Sequence, residues 1–131
     1  MKGTAMAKLN SDCTAEEALL YVKAYFAAND LLTSALAKYD RLIIEAPTSA
    51  ERSMFRSESL HAERELELLR NKRRAFLNNE SPMNPPSQST VDQAVALAKK
   101  LANTAASQAK GSAIIGMVAQ GLEAFAKIQS A

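Results

Sequence analysis

Glu58-Ser59-Leu60-His61 sets an acid and an imidazole three residues apart, a spacing that puts two metal ligands on one helical face. Di-iron bundles need two such pairs and further carboxylates, and His61 is the only histidine in the chain. The motif alone builds no such centre, so His61 is expected as a solvated or core-edge histidine, with no metal or cofactor site. Glu16 and Glu17 have the types of an acid–base pair, but two acids in a first helical turn are placed there by the helix dipole anyway. No nucleophile, base and orienting acid stand in a readable arrangement, and no glycine-rich phosphate loop is present. The chain reads as a protein without catalytic activity.

Two other constellations suggest binding. Arg70, Lys72, Arg73 and Arg74 form the one basic cluster, able in principle to grip phosphates, and are the candidate anion-binding residues. Against a nucleic-acid role, Glu63, Glu65 and Glu67 stand one or two turns away and no aromatic residues interleave for base stacking. Cations also gather at helix C-termini without any ligand. Ala113 to Ile128 is the second constellation. Projected at the helical period, Ile114, Ile115, Met117, Val118, Leu122, Phe125 and Ile128 fall within about 160°, opposite Gln120, Glu123 and Lys127. Such a face packs either on the chain's own core or on a partner. An interfacial membrane helix is a weaker reading, since its polar face carries a single lysine where membrane binders carry several cations.

Totals bound these options. A net charge of +2 from 16 basic and 14 acidic residues leaves no global field to recruit nucleic acid or an anionic membrane. One cysteine, Cys13, rules out an internal disulfide and a cysteine-built zinc cage, which suits a reducing, cytoplasmic setting. No apolar run has the length of a membrane span or a signal peptide. At 131 residues the chain fits one domain.

The elements that carry these residues are helices. Thr14 with Glu17, Thr48 with Glu51, and Thr90 with Gln93 each have the spacing of an N-terminal capping box before a segment of helical periodicity. The first helix is expected over 15–46, stopped by Pro47, with an apolar heptad seam of Ala18, Tyr21, Tyr25, Ala28, Leu32, Ala35, Tyr39, Leu42 and Ala46. A second row, Leu19, Val22, Phe26, Leu36 and Ile43, predicts two neighbours. The next helix is expected over 49–78, antiparallel to the first because only Pro47 and Thr48 join them. Its narrow seam is Phe55, Ser59, Ala62, Leu66, Leu69, Arg73 and Phe76, and the remaining positions are mostly charged.

Residues 79–89 form the proline-containing linker, and a third helix is expected over 90–130. Its seam reads Val91, Ala94, Ala98, Leu101, Ala105, Gln108, Ser112, Ile115, Ala119, Leu122 and Ala126. As one rod it would measure about 60 Å and overhang the hairpin, so it either breaks near Gly111 to give a fourth helix or is covered by another subunit.

The expectation is thus an all-α domain over 14–131 behind a flexible N-terminus at 1–13: an antiparallel helical hairpin plus a long C-terminal helix. The expected function is protein–protein association, with a homo-oligomer, a dimer first, or another helical protein as partner. A nucleic-acid accessory factor and a membrane-active or secreted assembly subunit are the alternatives.

Overall fold

A computed structural model of the chain describes residues 7–129. It is all-α, with four helices: α1 (Ala15–Glu45), α2 (Ser49–Leu77), α3 (Gln88–Ala102) and α4 (Gly111–Gln129), plus single 3-10 turns at Asn10–Asp12 and Gln108–Lys110. Ser130, where the expected third helix ends, lies outside the described residues, as do residues 1–6 of the expected flexible N-terminus.

α1 begins with a complete capping box: Thr14 Oγ1 accepts from the Glu17 amide and the Glu17 carboxylate accepts from the Thr14 amide. It runs unbroken through Asn29-Asp30 and stops before Pro47. Its seam is buried from Tyr21 to Ala46, with Ala18 half-buried. The second row divides: Leu36 and Ile43 pack partly buried against the core, and Phe26 borders α3. Leu19 and Phe26 are half in solvent, and the flank that meets α3 and α4 is Ala24, Ala27 and Leu31. Alanines there let the backbones approach closely, which apolar bulk alone does not signal.

α2 returns beside α1, its cap Thr48 accepting from the Glu51 amide. Phe55, Ala62, Leu66, Leu69 and Phe76 are buried along the expected seam. The helix ends in a Schellman motif: the Glu80 amide bonds the Ala75 carbonyl at 2.8 Å, the Asn79 amide bonds Phe76 at 3.1 Å, and Asn79 takes φ 60°.

The third helix starts earlier than its expected cap. Ser87, not Thr90, is the N-cap, and its hydroxyl accepts from the Thr90 amide at 3.1 Å. The single rod over 90–130 does break, and it does so before Gly111. α3 ends at Ala102, where Asn103 and Thr104 favour local hydrogen bonds over helix: Thr104 Oγ1 donates to the Lys100 carbonyl at 2.7 Å. Lys38 of α1 seals that end, its ammonium donating to the carbonyls of Thr104 (2.7 Å) and Ala102 (3.3 Å). Gly111 is instead the first residue of α4, where a glycine costs a helix little and lets the backbone lie against the Phe55 ring.

α3 therefore runs parallel to α1 and α4 comes back antiparallel, giving an up-down-up-down bundle in which α1 packs on all three other helices. One end is tied by the linker. Met83, 1% exposed, exchanges both backbone hydrogen bonds with Lys8, and the next residue, Asn84, donates from its amide and its side chain to Ile128 and Lys127 at the end of α4. Lys8 also pairs with Glu17 at 2.9 Å, and the Ser11 amide bonds Asn79 Oδ1, so residues 8–12 of the expected flexible segment are held by named contacts.

Candidate functional site

Successive residues of a helix point 100° apart, and this scatters the basic cluster. Arg70 and Arg74 share one flank of α2 beside Leu36, Glu63 and Glu67, while Lys72 stands on the opposite flank, facing α4. Arg73 turns inward, its guanidinium 4.9 Å from the centre of the Tyr25 ring, a cation–π contact that also adds a charge near Tyr21. Arg74 donates to Asn71 at 3.3 Å. The four cations form no single surface.

Glu17 and the thiol have structural surroundings, and Glu16 is exposed in the first turn of α1. Thr14 and then Lys8 hold the Glu17 carboxyl below its ordinary range, and the hydrogen bond to Glu17 in turn raises Lys8. Burial, with Glu17 adding to it, pushes the half-buried Cys13 thiol up, away from the thiolate a nucleophile needs. His61 is exposed on α2, and no group of three or more His, Cys, Asp or Glu side chains able to hold a metal ion occurs among the described residues. No described helix is long and apolar enough to cross a membrane.

The amphipathic face of α4 divides in two. Ile114, Met117, Val118, Phe125 and Ile128 are buried in the chain's own core, with Phe125 tilted against Tyr21 at 6.2 Å. Gly121 brings α4 so close to α1 that an added Cβ would run into the Leu31 side chain. Ile115 and Leu122 are left half-buried on a separate stripe, with Ala119 and Ala126 exposed beside them. These four residues belong to the heptad seam expected of the C-terminal segment and lie at the edge of the core, where Ile115 and Leu122 pack against it partly buried, because the chain is interrupted at Asn103–Ser107 and restarts at a new angle. They line a groove.

The groove lies between α2 and α4, which meet only sparingly. It consists of two adjoining open hollows of about 660 and 310 Å³ that share Leu122, the smaller of them floored by Ala28 and Leu32 of α1. Its α2 wall carries Leu60 and Leu68, 54% and 50% exposed. Reading α2 as one buried stripe on a wet helix missed both leucines. The signal was available in two large apolar residues, eight positions apart, lying off the seam. Glu58 and Arg64 rim the larger hollow and Glu65 and Lys72 the smaller. None of these four charges makes an ion pair or side-chain hydrogen bond with any described residue.

The fold and this groove define an all-α four-helix bundle with one open seam. In comparisons with known proteins, no family model, curated protein or solved structure matched the chain.

Proposed function

We propose that the protein is a non-enzymatic assembly protein whose working surface is the α2–α4 groove, a seat for a helix of a partner. The observation that carries this reading is the uncovered heptad stripe Ile115, Ala119, Leu122 and Ala126 facing Leu60 and Leu68. Heptad spacing is what receives the side chains of a facing helix, and contiguous exposed apolar surface marks interaction sites. Leu60 and Leu68 are already half-covered, so burying the rest of each is worth about 1 kcal/mol, and several such residues together are needed to hold a complex. The nucleic-acid alternative would need Arg70, Lys72, Arg73 and Arg74 on one surface, and they diverge around α2. A lone free cysteine fits a reducing, cytoplasmic setting.

A photo-cross-linking residue placed at Leu68, and separately at Glu67 on the other flank, tests the reading in the cell that makes the protein. Discrete adducts are expected from position 68 and not from 67. Absence of adducts at 68, or equal labelling at both, overturns it.

A further inference from the structure

We infer that the occupant of the α2–α4 groove is a second copy of this chain, docked about a twofold axis with the two α2 helices antiparallel and the axis passing near Glu65. The inference rests on the association reading above and supplies its partner.

The argument is the order of charges along the groove. From the N-terminal to the C-terminal end of α2 the rim reads Glu58, Arg64, Glu65, Lys72, that is acid, base, acid, base. Read in the opposite direction the same row is base, acid, base, acid. A twofold axis performs this reversal, because an isologous interface sets each surface against its own mirror order. The spacing agrees as well as the sign. Positions 58 and 72 lie equally far on either side of 65, so an axis there brings Glu58 to the partner copy's position 72 at both ends, roughly 21 Å apart along the helix. The same axis sets Glu65 beside its own copy, with Arg64 one residue away to offset that repulsion. Leu60 and Leu68 straddle the same point and come together between the charged pairs.

Glu58 and Lys72, which have no ion pair among the described residues, would thus each gain one, and the two exposed leucines would be covered along with the Ile115–Leu122 stripe. Exposed ion pairs add little affinity, so the leucines hold the dimer and the charges set its direction and register. A parallel pairing sets like charges opposite each other at every rim position. That arrangement is disfavoured by the same row that favours the antiparallel one.

The test uses the full chain and its solution mass by sedimentation equilibrium. The wild type is expected at twice the 14.1 kDa chain mass. Glu58→Lys alone sets two lysines together at each end of the interface, and Lys72→Glu alone sets two glutamates together. Each variant should weaken self-association by about tenfold or more while its circular dichroism is unchanged. The two variants mixed in equal amounts should recover the wild-type association, because in the mixed dimer both ends again pair opposite charges.

A wild type that stays at 14.1 kDa into the millimolar range overturns the inference. So does a dimer indifferent to the single changes, or one that mixing fails to restore. The association reading is judged separately: adducts between position 68 and a different protein would keep it while this inference falls, and absence of adducts would remove both.

Discussion

Tyr39 is fully buried on α1, yet its hydroxyl has no hydrogen-bond partner among the described residues. A buried hydroxyl without a partner costs stability, so Tyr39→Phe is expected to leave the fold intact and raise stability by up to about 1 kcal/mol, measured by urea denaturation. Burial also pushes Tyr39 and Tyr21 up to about 12, with the Glu58 charge adding to the effect at Tyr39 and Arg73 opposing it at Tyr21. The unfolded tyrosines ionise near 10, so the folded state holds its protons longer. Stability from these groups is therefore complete below pH 10 and is lost as pH rises toward 12, and the loss should shrink in Tyr39→Phe. Glycines on α4 separate by the same kind of reasoning. Gly116 faces open space, and Gly116→Ala should stabilise by about 0.5–1 kcal/mol in thermal melts. Gly121→Ala pushes into buried Leu31 and should destabilise by about 1–3 kcal/mol.

Helices one and two were legible in the sequence almost to the residue, because cap, periodicity and proline stop agreed at each end of α1 and at the start of α2. The C-terminal segment was legible as helix but not in its division. Three glycines drew attention to Gly111, whereas a glycine at the first position of a helix weakens it little and the interruption falls on Asn103 and Thr104, whose side chains compete with the backbone. Lys38, sixty-odd residues away in sequence, completes that interruption by capping α3, and no local pattern announces it. Lys38→Met should therefore cost about 0.5–1 kcal/mol and speed amide exchange in the last turn of α3, while leaving the α1–α2 contact unchanged. The groove was half legible. Its α4 stripe is the expected heptad, but the partition of Ile114 and Phe125 into the core from Ile115 and Leu122 at the rim depends on the angle at which α4 restarts. That angle is fixed by contacts to Phe55 and Leu31, not by α4 itself.

At the scale of the whole molecule, α1 packs on each of the other helices through buried alanine, leucine and tyrosine, while the seam between α2 and α4 is left thin. Association at that seam would finish the core that the fold leaves open. The opposite situation holds at the end of the bundle where Lys8 pairs with Met83 and Asn84 pairs with Ile128. Because Met83 and Asn84 are consecutive, residues at the two extremes of the described chain are brought to within about 10–15 Å of each other. The order in which the helices are connected is thus separable from the way they pack. A circular permutant, with its ends joined by a short glycine-serine linker and its chain opened between Asn103 and Ser107, should keep the circular dichroism and cooperative melt of the parent.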